Sequence, residues 1–441
     1  MKYDIIIVGG GPAGVLAGKA AKQVNHKLKV CLIKKDKGIP IRCSEPYVLG
    51  GYSELKDIIS SDDMITGSGV DLVIDEVTQV LPDKREVKTR DGKTYEYDKL
   101  ILATGANPFM PPVPGKDLDN VFTLRNPNDV KDIRGALKKS RNIAVVGGGA
   151  IGVELAAVLR QKHKKIKLVE ALPNLISGAY DEDYSKKVEN LLKKIGVKVI
   201  TGKKVKEIKG NKRAKSLILE SGEKLKAGIV LVSAGVRSDI KLAKEAGANI
   251  GKFGIETNEK QETSLKDVYA CGDCDQAIDF ITKKPTPSQL ATTAVFQGRV
   301  AGINAAGGNA KYDGVVNPAV SVIFNKAVGR VGLTEEGCKR EGLEIFTGEA
   351  SSHTRYTCHP NAKEIDVKLI FDNMSKKLLG AQLFGGEEGI SQRINLLSLA
   401  IKNNLTLKEI ANLDYCAHPE LTPLPFAEPI VMAAEEALKK V

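Results

Sequence analysis

Two glycine runs, with a single cysteine following the first, hold the residues of this 441-residue chain whose types and spacing can do chemistry. The first run, Gly9-Gly10-Gly11-Pro12-Ala13-Gly14, follows the apolar stretch Ile5-Ile6-Ile7-Val8. The second, Gly147-Gly148-Gly149-Ala150-Ile151-Gly152, follows Ile143-Ala144-Val145-Val146. Each has the spacing of a strand, a tight turn and a helix N-terminus. There the missing side chains let a pyrophosphate approach backbone N–H groups and the positive end of the helix dipole. One such run is a weak signal. Two, each opening a βαβ pattern, imply two dinucleotides held by one chain, and the economical reason to hold two is to pass electrons between them. The cysteine is Cys43, in the polar, proline-containing loop Ile41-Arg42-Cys43-Ser44-Glu45-Pro46-Tyr47. A thiolate there can split a disulfide through a mixed disulfide, or cycle through a sulfenic acid and so suit peroxide or oxygen. Nucleophilic use calls for a lowered pKa, and Arg42 is the neighbouring cation.

The elements that must position these residues read as follows. Residues 1–35 are strand, helix, strand. Residues 36–96 hold the Cys43 loop and β-patterned pieces such as Val70 to Ile74. Tyr97 to Gly105 is a buried strand closing on Ala103-Thr104-Gly105, and Asn107-Pro108 to Pro114-Gly115 is a stiff proline-rich connector. The second βαβ unit closes with Ile229 to Gly235. Val268 to Asp273 is another strand ending in glycine and a carboxylate, followed by a helix from Gln289 to Ala306. From about Asn317 the pattern changes to strands (Val320 to Phe324, Asp366 to Phe371, Leu378 to Phe384) and then helices from 388, an α+β tail.

Bulk composition narrows the function classes. At 42% hydrophobic and 27% charged, the chain reads as a globular protein of two or three domains. It has no run of eighteen apolar residues, hence no expected membrane span. Residues 1–9 already form a strand, so no signal peptide is expected. The net charge of +12 is spread over helix faces and turns without interleaved aromatics, which argues against nucleic acid. Seven cysteines, at 31, 43, 271, 274, 338, 358 and 416, form no regular framework and point to a reducing cytoplasm.

In order, these motifs resemble the pyridine nucleotide–disulfide oxidoreductase superfamily, over essentially the whole chain. The resemblance rests on Gly9 to Gly14, on Ala103-Thr104-Gly105 with its proline connector, on Gly147 to Gly152 with Glu154, and on Thr263 through Cys271-Gly272-Asp273. It implies an α/β fold with two Rossmann-like domains: an FAD domain (1–112 and 253–316) split by an inserted NAD domain (113–252), then a C-terminal α+β dimerisation domain (317–441). FAD would lie on the first glycine run, with Gly272 and Asp273 at the ribityl chain. NADH would lie on the second run, with Gly235 closing that fold.

The carboxylate ending the second strand of such a fold normally bonds the adenosine ribose. Glu170 is in place in the NAD fold, with no arginine after it. It would repel a 2′-phosphate, so NADH is expected over NADPH. In the FAD fold the position is Lys34, a departure from the family. Either Asp36 substitutes or backbone alone holds the ribose.

Cys43 stands where classical members have two cysteines. The pattern is similar to the single-cysteine branch of coenzyme A disulfide reductases, persulfide reductases, NADH oxidases and NADH peroxidases. The Cys-x-x-Pro-Tyr piece favours the coenzyme A side, although Ile39-Pro40 replaces the usual Ser-Phe. Lys19 and Lys22, on the first fingerprint helix, sit where that branch contacts coenzyme A phosphates. His418-Pro419 resembles the acid–base His-Pro of classical members, with Pro423 in place of the orienting glutamate. Tyr415 and Tyr356 are further proton donors, and Cys416 is a potential redox partner of Cys43 across a dimer. Cys271-Gly272-Asp273-Cys274 has CxxC spacing but too few ligands for a metal, and no metal is expected. Cys358-His359-Pro360 reads as a surface loop.

The resemblance therefore implies a cytoplasmic homodimer in which NADH, through FAD, reduces Cys43, which then reduces a small disulfide, persulfide or polysulfide, coenzyme A disulfide first. The alternatives are an NADH oxidase or peroxidase using a Cys43 sulfenic acid, and a flavin electron-entry subunit docking on an iron–sulfur partner.

Overall fold

A computed structural model describes residues 1–162 and 164–441. The chain forms two compact units. One is built from 1–43, 54–108 and 236–315, the other from 44–53, 109–235 and 316–441.

In the first unit the strand Lys2–Val8 lies at the centre of a sheet, and its Ile5, Ile6 and Ile7 are almost wholly buried. A continuous apolar run of this kind suits a parallel strand covered on both faces. It pairs in parallel with Val30–Lys34 on one side and Thr94–Leu102 on the other. Asp71–Ile74 extends the sheet beyond the former and Val268–Ala270 lies against the latter, both in parallel. The chain thus winds outward both ways from the central strand, leaving a crevice at the strands' carboxyl ends, where Gly9, Lys34 and Ala103 fall. Antiparallel strands Val77–Leu81 and Glu86–Thr89 finish one edge. The helix Pro12–Val24 begins with Pro12 in its first turn after the Gly11 N-cap. The helix Ala291–Ala305 packs on it very closely. A Cβ on Gly298 would lie 2.2 Å from the Ala13 carbonyl oxygen, and one on Gly302 would lie 2.1 Å from that of Ala17. Glycines four apart share one helix face, so this face holds the fingerprint helix.

The second unit repeats the plan. Its sheet runs Val121–Phe122, Ile229–Val232, Asn142–Val146, Lys165–Val169 and Lys198–Ile200, all parallel. The helix Ala150–Gln161 follows the second glycine run. The same unit holds a five-stranded antiparallel sheet, ordered Ala319–Ile323, Lys326–Gly332, Leu378–Gly386, Glu364–Asp372 and Ile345–His353. Helices Ile390–Lys402 and Pro429–Leu438 pack against it.

The tail therefore has five strands where the sequence pattern indicates three. Lys326–Gly332 escapes notice because two glycines interrupt it. One of them, Gly329, is small because Ile390 and Ile394 pack on it. Ile345–His353 ends in Ser-Ser-His, a polar run typical of loops. Among the described residues no helix is long and apolar enough to cross a membrane.

Candidate active site

In the first fold the glycines have distinct duties. Gly9 adopts φ +114°, and a Cβ there would lie 2.1 Å from the Ala103 carbonyl oxygen. A Cβ on Gly14 would lie 2.0 Å from the Gly9 oxygen, which keeps the helix tight against the turn. Gly11 has nothing within 4 Å of where its Cβ would be. The turn is thus closed by packing at Gly9 and Gly14 and open at Gly11, at the head of a thirteen-residue helix with no acidic residue in its first turn. That is a cradle for a pyrophosphate.

The second fold repeats this geometry. Gly147 has φ +107° and a Cβ there would lie 2.3 Å from the Ser233 oxygen. One on Gly152 would lie 1.9 Å from the Gly147 oxygen, and Gly149 is open. Ala150 and Ile151 are exposed at the helix start, and Gly235 (φ +95°) is open too. Glu170 accepts Gly148 N–H at 2.5 Å through Oε2 and Leu172 N–H at 2.7 Å through Oε1. Two backbone donors fix the carboxylate over Gly148. Burial pushes the Glu154 carboxyl up to about 7, against a hydrogen bond from Ser321 that lowers it.

At the corresponding place in the first fold Lys34 is buried. Its stem covers Gly10, where a Cβ would lie 2.3 Å from Lys34 Cδ. Its ammonium donates to the Gly38 carbonyl at 2.8 Å and to Asp62 Oδ1. Asp62 Oδ2 accepts Gly38 N–H at 3.0 Å. Burial would raise the Asp62 carboxyl, but the bonds from Lys34 and Gly38 hold it below the usual carboxylate range. Asp36, the substitute suggested by proximity in sequence, is exposed, and the carboxylate bonded to the Lys34 ammonium is Asp62.

The Gly272-Asp273 turn is held by a network that the sequence does not announce. Gly272, at φ +81°, approaches Ala13, and its N–H donates to Gln297 Oε1 at 2.9 Å. Gln297 Nε2 in turn donates to Asp275 Oδ2 at 2.6 Å, and Thr257 donates to Asp275 Oδ1 at 2.8 Å. Burial pushes Asp275 up to about 7, opposed by these hydrogen bonds. The Asp273 carbonyl accepts from Ser238 at 2.7 Å. Thr104 donates to the Asp239 carbonyl at 2.6 Å, fixing the turn at Ala103-Thr104-Gly105. The only hint in the sequence was a second carboxylate two residues after Asp273.

Cys43 is exposed, in the single turn Arg42–Ser44 that leads into the helix Glu45–Gly50, and Arg42 is exposed beside it in sequence. Cys271 and Cys274 are wholly buried. Burial pushes the Cys271 thiol well above its ordinary value and the Cys274 thiol up to about 11, so both are inert. The Lys22 ammonium donates to the carbonyls of His26 (2.7 Å) and Leu28 (3.0 Å), tying down the end of its own helix. Lys19 is half-buried on the same helix.

In the second unit, His418 is exposed. Its N–H donates to Thr422 at 2.9 Å, and Nδ1 accepts Glu420 N–H at 3.3 Å. A neutral imidazole accepting at Nδ1 carries its proton on Nε2. The Glu420 backbone amide thus orients the ring, and residue 423 is a proline. Tyr415 is exposed, and its hydroxyl donates to the Pro425 carbonyl. Tyr356 N–H donates to the Pro419 carbonyl at 3.2 Å, which joins the loop of exposed Cys358 to that of exposed Cys416.

Residues 3–298 match the family Pyridine nucleotide-disulphide oxidoreductase, and residues 318–425 match its dimerisation domain. The chain belongs to this family. It is 38% identical over 448 residues to a protein of Methanocaldococcus jannaschii named NADH oxidase, covering 99% of both chains. It is 32% identical to a Pyrococcus abyssi protein named NAD(P)H sulfur oxidoreductase (CoA-dependent), covering 98% of both. Among solved structures, a NAD-dependent persulfide reductase from A. fulgidus superimposes with a TM-score of 0.94 at 28% identity, covering 100% of this chain and 83% of that one. As a member of the family, the chain is an NAD(P)H-dependent flavoprotein oxidoreductase that uses FAD. The two cradles, closed by packing and open at Gly11 and Gly149, fit two dinucleotides. When bound, the flavin supplies the hydride chemistry and the protein supplies position and proton control.

Proposed function

We propose that this chain is a reductase of small disulfides, persulfides or polysulfides, coenzyme A disulfide first, with NADH as donor and Cys43 as the working thiol. The observation that carries this reading is the contrast among cysteines. Cys43 is exposed in the first unit, on the turn where the family resemblance expects the working thiol, whereas the first unit's other cysteines, Cys31, Cys271 and Cys274, are buried; the exposed Cys358 and Cys416 lie in loops of the second unit. The relatives' names add weight, two of the three naming sulfur or persulfide chemistry.

In this reading Gly9, Gly11, Pro12, Ala13, Gly14, Ala103, Thr104, Gly105, Gly272 and Asp273 hold FAD, with Lys34, Arg42 and Cys43 lining the same site. Gly147, Gly149, Ala150, Ile151, Gly152, Glu154, Glu170 and Gly235 hold NADH. The Glu170 carboxylate disfavours a 2′-phosphate by like-charge repulsion. Cys43 thiolate attacks one sulfur of the substrate. A new S–S bond forms, the old one breaks, and the departing thiolate takes a proton. Two electrons from NADH then cleave the mixed disulfide, release the second thiol and restore Cys43. The net change is one NADH and one proton spent for two thiols. His418 and Tyr415 are assigned to the proton deliveries in a homodimer, and Lys19 to a coenzyme A phosphate.

Anaerobic NADH turnover with coenzyme A disulfide or polysulfide tests the reading by free-thiol assay. Thiol release that disappears in Cys43→Ser is expected. If flavin is reduced by NADH but wild type releases no thiol, the reductase reading fails. The Methanocaldococcus relative's name favours a second reading, NADH oxidase through a Cys43 sulfenic acid. NADH-dependent oxygen consumption without thiol release would select it.

A further inference from the structure

The second fold shows what a ribose carboxylate looks like in this chain. Glu170 directly follows its strand, covers the middle glycine and is pinned by backbone N–H groups of Gly148 and Leu172. The first fold has the same strand end and middle glycine, but Lys34 covers Gly10. A buried lysine without a counter-ion would cost several kcal/mol, and the counter-ion present is Asp62.

We propose that Asp62, delivered by Lys34, is the carboxylate that receives the adenosine ribose hydroxyls of FAD. Asp62 arrives from the segment before the helix Asp63–Thr66 and meets the chain just after the strand end, at Gly38. Glu170 is likewise anchored just after its own strand, at Leu172. The Asp62 side chain is 24% exposed and that of Lys34 only 6%, so the carboxylate is the member of the pair presented outward. Each Asp62 oxygen accepts one bond, from Lys34 and Gly38 respectively, and keeps further acceptor capacity for a vicinal diol. Lys34 acts as a positioning residue that neutralises the carboxylate and aims it. The competing carboxylate is Asp75. Its N–H donates to the Lys34 carbonyl at 2.9 Å, and its Oδ2 is buried without a hydrogen-bond partner among the described residues. The assignment concerns the cofactor fold and does not depend on which substrate Cys43 meets.

The test follows FAD release from purified holoenzyme by flavin fluorescence, giving a dissociation constant for wild type, Asp62→Asn, Asp75→Asn and the double variant Lys34→Glu/Asp62→Asn. Melting temperatures of the FAD-free proteins are measured alongside. Asp62→Asn is expected to weaken FAD roughly tenfold, the scale of one charge-assisted hydrogen bond. The double variant returns the carboxylate to the strand end, as in the second fold, and is expected to recover to within about threefold of wild type. Asp75→Asn is expected to bind as wild type. The proposal is overturned if Asp62→Asn binds FAD as tightly as wild type. It is also overturned if the double variant regains the apoprotein melting temperature but not the FAD affinity. If Asp75→Asn is the variant that weakens FAD, the ribose belongs to Asp75.

Discussion

The two dinucleotide folds of this chain share a strand, a turn of three glycines and a helix, yet they solve one problem differently. At the second fold a single residue, Glu170, directly follows the strand and stands over the middle glycine. At the first fold two residues from separate segments, Lys34 and Asp62, occupy the corresponding place. Both folds also hold a carboxyl that desolvation pushes up to about 7, the half-buried Glu154 in one and the buried Asp275 in the other. The glycine geometry is reproduced closely because it follows from backbone sterics, which leave no room for a Cβ at Gly9, Gly14, Gly147 and Gly152. The electrostatic partner is freer, since only its position and charge matter.

The largest effects should come from the shared geometry. Gly9→Ala and Gly147→Ala force a Cβ to within 2.1 Å and 2.3 Å of a backbone oxygen at positive φ. Each should cost on the order of 3 kcal/mol by denaturant melts of the apoprotein. Gly11→Val and Gly149→Val meet open space and extended backbone. They should leave apoprotein stability within about 0.5 kcal/mol, while weakening FAD and NADH respectively by at least about tenfold. Equal destabilisation at all four glycines would break the division between packing and cradle glycines.

Next in size is the pH dependence of the two carboxyls with raised pKa. Each has its folded pKa raised above the unfolded value, so the folded state favours the neutral acid. Their contribution is fully present below about pH 4 and is lost as pH rises toward about 7. Asp275→Asn and Glu154→Gln should each flatten that decline, leaving the variant about 1–3 kcal/mol better placed at pH 8, relative to pH 4, than wild type. Thermal melts across pH 4–8 measure it. A wild-type profile with no decline would show that both groups ionise freely.

A smaller effect tests the Glu170 side of the contrast. Glu170→Ala should raise kcat/KM for NADPH relative to NADH by roughly tenfold, about 1.4 kcal/mol, with FAD content unchanged. If the ratio stays put, the carboxylate does not read the ribose. Smallest of all is Lys22→Met on the first fingerprint helix. Because Lys22 bonds two carbonyls of its own chain, the loss should be about 0.5–1 kcal/mol of stability, with KM for coenzyme A disulfide unchanged. A severalfold rise in KM would return Lys22 to the substrate site.

Much of the fold was legible because its signals are local. The glycine spacing, the buried strands on either side of it and the Ala103-Thr104-Gly105 turn are contiguous in the chain, and they fell where the pattern put them. The residues missed are those whose partners are remote. Asp62 lies 28 residues from Lys34, and Gln297 lies 22 from Asp275, so no local pattern links them. The bonds of Lys22 were hidden for a different reason: a lysine on a helix face gives no sign in sequence that it ties down the carbonyls of His26 and Leu28.

Residue order alone determined that this chain builds two glycine-turn nucleotide folds and places one cysteine in the loop after the first, since sterics within a few residues dictate both. Only tertiary packing decided which glycines are closed and which open. It also decided that Cys271 and Cys274 are sealed, and that the buried lysine at the end of the first fold's second strand is paired with an aspartate. Those outcomes depend on burial and on charges meeting across tens of residues, and burial exists only once the chain is folded.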